Sequence, residues 1–184
     1  MIGPTLKPVY LSVVFSSLLL MVFVSELNAQ ERGNQQARTS PNASVSQTIG
    51  TTVVELTYGR PSVNERQIFG SLVPLGQVWR TGANEATSIT FSDDVLLEGN
   101  PVEAGTYSLY TEPGEDEWTI IINNNINWGT RYDESADVLR FSVTPVKASF
   151  VEQMMIYFED VTSSTANLVI HWDVVKVPIE IQVD

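Results

Sequence analysis

The chain has 184 residues, with 10 Lys and Arg against 22 Asp and Glu for a formal net charge of −12 at pH 7, and it has no cysteine. Such acidity works against nucleic acid and anionic membrane surfaces as partners, and the missing cysteine excludes disulfides, thiol catalysis and a cysteine-borne lipid anchor. A single histidine, His171, excludes any three-histidine metal centre.

At the N-terminus Lys7 precedes an apolar run from Val9 to Val24, interrupted by Ser12, Ser16 and Ser17. The run is shorter than the roughly 20 residues a bilayer-spanning helix needs, and the polar stretch after it ends in Ala29. This pattern predicts a signal peptide over residues 1–29 with cleavage after Ala29, and therefore a secreted or periplasmic location with no integral membrane association afterwards. Leu27 stands where a small residue is usual, so a retained N-terminal anchor is the alternative. Lys7 and Glu26 cancel, leaving the remainder with the whole charge of −12.

Residues 30–41 are almost devoid of apolar side chains and are expected to form a flexible linker, because they bury too little to offset the entropy of ordering. Residues 42–184 then make one domain, large enough for a single core. Ser44–Ile49 and Thr52–Tyr58, rich in β-branched residues with Gly50 between them, predict a hairpin. Ser62–Phe69 is a candidate short helix, with Ser62 as N-cap and Glu65 three positions on. Gly70–Glu85 is a long connection whose apolar residues Leu72, Val73, Leu75, Val78 and Trp79 argue for an ordered loop packed on the core.

Further strands are expected at Thr87–Phe91, Val95–Leu97, Gly105–Thr111, Trp118–Asn123, Val138–Val143, Gln153–Phe158, Ala166–Trp172 and Val174–Val183. Turn residues separate them, among them Glu98–Pro101, Glu112–Gly114, Asn123–Gly129 and Asp160–Thr165. About ten short strands and at most one short helix predict an all-β fold, an antiparallel β-sandwich or jelly-roll-like domain, with a small barrel left open. Pro178 places the last strand at a sheet edge or at a bulge, since proline donates no ladder hydrogen bond.

The segment Val78-Trp79-Arg80-Thr81-Gly82-Ala83-Asn84-Glu85 concentrates an indole, a guanidinium, an amide and a carboxylate in one loop. A guanidinium fork binds carboxylate or phosphate, while amide and carboxylate orient hydroxyls or water. The plain alternative is that Arg80 pairs with Glu85 to brace the loop. Arg60, held extended before Pro61, is a second candidate cation that shares the site or bonds a neighbouring carboxylate or carbonyl.

His171, between Ile170 and Trp172, is expected on the face opposite them, exposed or at an edge. Acidic runs at Asp93-Asp94, Glu112–Glu117 and Asp133–Asp137 lack the spacing of a calcium loop and read as solvated turns, so no metal is called. Trp118 and Trp172 are expected in the core, whereas Trp128, in a polar asparagine-rich loop, is a candidate ligand contact. No nucleophile elbow, Walker loop or dinucleotide fingerprint is present, and nothing identifies a cofactor.

Tyr58-Gly59-Arg60-Pro61, Ile68-Phe69-Gly70, Val78–Glu85 and Ala104–Leu109 together resemble a bacterial family of exported proteins known only as a domain of unknown function. The resemblance implies a secreted or periplasmic β-rich domain, often described as surface-attached, and implies no reaction, substrate or catalytic residue. The reading that follows is a binding domain presenting Arg60, Trp79, Arg80, Asn84, Glu85 and Trp128 to a small polar ligand, a saccharide or an anion. Two alternatives are a hydrolase using Glu85 as base with Arg80 stabilising negative charge, and a non-catalytic envelope structural component.

Overall fold

The computed structural model describes residues 36–126 and 129–184. The expected signal peptide, the first half of the expected linker and Trp128 lie outside the described residues. Ten strands form two antiparallel sheets. The larger runs β1-β2-β3-β6-β7-β8, with β1 Asn42–Ile49, β2 Thr52–Gly59, β3 Thr87–Phe91, β6 Gly105–Glu112, β7 Trp118–Asn123 and β8 Asp137–Val143. The smaller runs β5-β4-β10-β9, with β4 Val95–Leu97, β5 Asn100–Val102, β9 Val146–Glu159 and β10 Thr165–Gln182. The fold is an all-β sandwich, as the alternation predicts.

Period-two alternation builds the core: Val54, Leu56 and Tyr58 of β2, Ile89 and Phe91 of β3, and Tyr107 and Leu109 of β6 face Leu168, Ile170, Trp172, Ile179 and Ile181 of β10. Tyr58 ties the sheets together, since its hydroxyl accepts from the Ile156 amide at 2.8 Å. At one end of the sandwich Phe69, Trp79, Trp118 and Trp172 pack as a cluster with ring centroids 5.0–6.4 Å apart. Truncating a buried aromatic of this kind to alanine costs about 3–5 kcal/mol.

Four expectations are corrected. Ser62–Phe69 is not a helix: Ser62 bridges to Gln153, and Asn64 and Glu65 are both left-handed, with φ of 49° and 57°, which ends any helical turn. The helical turn that does form is a 3-10 turn at Glu134–Ala136, N-capped by the Asp133 carboxylate on the Ser135 amide. Asn100–Val102, expected as part of a turn, is a short edge strand paired to β4, where Pro101 lacks only a donor that the edge does not use.

Ala166–Trp172 and Val174–Val183 are one strand, with register shifts on either side of Asp173 that each leave two extra residues on β9, and with a φ of 56° at Asp173. Pro178 sits where the ladder to β9 has ended at Lys176 and that to β4 has not begun at Ile181. His171 does face away from Ile170 and Trp172, but it is 6% exposed rather than open, with Nε2 2.9 Å from the Ser149 carbonyl and the ring beside Tyr157. The long β9 partner covers that face, which its sequence alternation alone does not reveal. No helix among the described residues is long and apolar enough to cross a membrane.

Candidate functional site

The loop from Gly76 to Thr87 is fixed at both ends to the larger sheet. The Gly76 amide donates to the Pro113 carbonyl, and Trp79 exchanges both backbone hydrogen bonds with Thr111, extending the lane of β3 past its first residue. The chain leaves that lane after Arg80 and re-enters at Thr87, whose amide closes on the Arg80 carbonyl at 3.2 Å. Inside the excursion Gly82, with φ of 154°, lies so near the Gly59 carbonyl that a Cβ would sit 2.9 Å from it. Buried Thr81 donates to Thr111 Oγ1, and Thr87 Oγ1 donates to the Thr81 carbonyl. The Trp79 indole N–H reaches the Gly82 carbonyl at 3.1 Å while its ring stacks on Trp172.

Two candidate residues of the loop, and the backbone of Arg60 after β2, turn to the segment ahead of β1. Glu85, 1% exposed, takes a bidentate fork from Arg38, Nη1 to Oε2 at 2.7 Å and Nη2 to Oε1 at 3.0 Å. That bond holds the Arg38 guanidinium above its ordinary pKa. Asn84 Nδ2 donates to the Ser40 carbonyl at 3.0 Å, and the Arg60 amide donates to the Pro41 carbonyl. The Arg60 side chain points to β9, where Nε donates to the Met154 carbonyl at 2.8 Å. Residues 38–41 of the expected linker are thus clasped onto the domain.

Arg80 goes elsewhere. The antiparallel bridge between Trp79 and Thr111 makes Arg80 the cross-strand neighbour of Tyr110, in a pair that shares no backbone bonds and so has Cα atoms about 4.5 Å apart. Tyr110 opposes Ile121, and Ile121 opposes Arg140, so Arg80, Tyr110, Ile121 and Arg140 form one row across the outer face of the larger sheet. The next row holds Ser88, Ser108, Asn123 and Asp137.

Tyr132 from the loop after β7 lies edge-on against Tyr110 with centroids 5.1 Å apart. Gly129 presses on the Arg80 stem so closely that a Cβ there would fall 2.2 Å from Cδ. Among the described residues the Arg80 guanidinium has no hydrogen-bond or ion-pair partner, and its Nε is buried. Desolvation pulls its pKa below the ordinary arginine value, with Tyr110 opposing. The Tyr110 hydroxyl, on a residue 1% exposed, is also buried without a partner. Burial raises its pKa, opposed by the Ser108 hydroxyl and the Arg80 cation.

Beside the same loop is an opening of about 240 Å³ whose wall includes Ser40, Arg66, Leu72, Arg80, Gly82 and Trp172. Among the described residues no acidic one lines it. Among the described residues the Arg66 guanidinium bonds the Val63 and Ser62 carbonyls, and the Trp172 indole N–H has no hydrogen-bond partner. The sequence did not single out Arg38 or Arg66, and it offered Tyr110 only among aromatics that could stack on a saccharide, most of them expected in the core. Alternation along β6 carried a signal for Tyr110, since Ser108 and Tyr110 must face opposite to Tyr107 and Leu109.

Residues 40–181 match the model of a family described as protein of unknown function (DUF2911), and the chain belongs to that family. No curated protein and no solved structure matches it.

Proposed function

We propose that this member of the family is an exported, non-catalytic domain that binds a small polar ligand, a saccharide or an anion, through Arg80. One observation carries the reading: the Arg80 guanidinium is half-buried, its charge disfavoured by desolvation, yet no described residue supplies an acceptor or a counter-charge. A buried charge without a partner is costly, and such groups concentrate where something else completes them. Arg66 in the acid-free wall of the adjoining opening adds a second cation in a chain of charge −12.

The test is a thermal-shift titration of the purified protein with saccharides, organic acids and inorganic phosphate, comparing wild type with Arg80→Met. Saturable stabilisation of wild type that is lost in Arg80→Met supports the reading, and a wild type that no ligand stabilises overturns it.

The buried clasp of Glu85 by Arg38 supports a bracing role for that carboxylate and lends nothing to a hydrolase that needs it as a base. The same clasp favours a second reading, an envelope structural component without a ligand. Under that reading Arg80→Met is silent in every ligand titration, while Arg38→Ala, which takes the bidentate fork from the buried Glu85 carboxylate, lowers the melting temperature.

A further inference from the structure

We infer that Tyr110 and Arg80 together form a two-donor receptor for an oxyanion, a carboxylate or a phosphate group, on the outer face of the larger sheet. This rests on Arg80 being the ligand-binding cation and narrows the ligand to one chemical class. Arg80 Nε–H can only donate, and the Tyr110 hydroxyl has a proton to give; both are buried and both lack a partner. Cross-strand pairing sets their side chains on the same face of neighbouring lanes. An unmet buried donor costs about 1–3 kcal/mol, so two side by side mark a place shaped for an acceptor.

Among the described residues, two carboxylates on this sheet face are engaged elsewhere. Asp137 accepts from Asn123 at 2.7 Å, Tyr132 at 2.5 Å and Arg140 at 2.9 Å. Glu112 accepts from Arg140 at 3.1 Å. The Ser108 side chain lies near enough to Tyr110 to lower its pKa, and it gives its own proton to the Asn125 carbonyl at 2.9 Å. A saccharide hydroxyl brings a proton that needs an acceptor of its own, whereas an oxyanion only accepts and also supplies the charge that Arg80 lacks. Gly129 closes on the arginine stem with no room for a side chain, which holds the fork in place beside Tyr110.

The experiment is calorimetric or NMR titration of the protein with acetate, inorganic phosphate and glucose, using wild type, Tyr110→Phe and Arg80→Met. Tyr110→Phe keeps the ring and removes only the unpaired hydroxyl, so the ligand-free fold stays as stable as wild type. Acetate or phosphate binds wild type, glucose does not, Tyr110→Phe weakens the anion about tenfold and Arg80→Met abolishes binding. The stronger of the two anions identifies the source chemistry.

Anion affinity unchanged in Tyr110→Phe but lost in Arg80→Met overturns the receptor and leaves the Arg80 reading standing. Glucose binding as tightly as the anions overturns the oxyanion class. Anion binding that neither substitution alters overturns both.

Discussion

Arg140 and Arg80 stand at opposite ends of one row on the same sheet face, separated by Tyr110 and Ile121, and the protein treats them differently. Burial pulls on both guanidinium groups. At Arg140 the hydrogen bond to Asp137, with Tyr132, Asp137 and Glu112 nearby, more than offsets that pull and holds the pKa up. At Arg80 only Tyr110 opposes it, and the pKa falls. The two arginines therefore differ both in burial and in what surrounds them: Arg140 has Asp137 and Glu112 within reach, whereas Arg80 has no acidic partner among the described residues.

The largest contrast is expected on removing the hub of the Arg140 end. Asp137→Ala takes the acceptor from Tyr132 and one acceptor each from Asn123 and Arg140, and lowers stability by about 3 kcal/mol, measured by urea unfolding. Anion affinity at the Arg80 end stays within twofold.

Next in size is Gly129→Ala, whose new methyl group must displace the Arg80 stem; overpacking of this kind costs about 1–3 kcal/mol and here also weakens the anion. Exchanging each arginine for methionine separates the ends more cleanly. Arg140→Met loses about 1 kcal/mol, a modest figure because that side chain is one-third exposed. Arg80→Met leaves stability unchanged or slightly higher, because it removes a desolvated charge that had no partner.

The smallest effect is a slope at alkaline pH. Burial, the bond to Asp137 and the charge of Asp137 raise the Tyr132 pKa in the folded state well above the ordinary tyrosine value. The resulting stability is fully present below the unfolded pKa of about 10 and is lost as pH rises beyond it, because the unfolded chain releases the proton first. Tyr132→Phe flattens that slope in melting temperature against pH, while Arg80→Met leaves it in place.

The contrast between these ends was only half visible in the sequence. The β-branched and alternating runs from Thr87 to Phe91 and from Trp118 to Asn123 announce strands because burial on one face imposes period two, and both have the expected bounds. Asn100–Val102 did not announce itself, since a proline between turn residues reads as a turn unless its edge position is known. Ser62–Phe69 carried helix-start residues, but pairing of Ser62 with β9 and two left-handed residues override local preference.

The Gly76–Glu85 segment was legible as a loop, because its glycines and mixed polar residues permit little else. Its partners were not. Arg38 lies in a polar stretch with no signal that its fork would meet Glu85, and although alternation turns Tyr110 away from the core, its place beside Arg80 follows only once Trp79 is known to pair with Thr111. Long-range register, rather than composition, decides which polar side chains meet.

The most direct measurement is the Arg80 Nε–H resonance in an NMR titration with acetate or phosphate, with the Arg140 Nε–H as internal reference. The Arg80 resonance is expected to lack hydrogen-bond shift and protection in anion-free protein and to move saturably as anion is added, while that of Arg140 stays fixed. An Arg80 Nε–H already hydrogen-bonded without anion, or one that does not move at high anion concentration, contradicts the claim that this arginine awaits an outside acceptor.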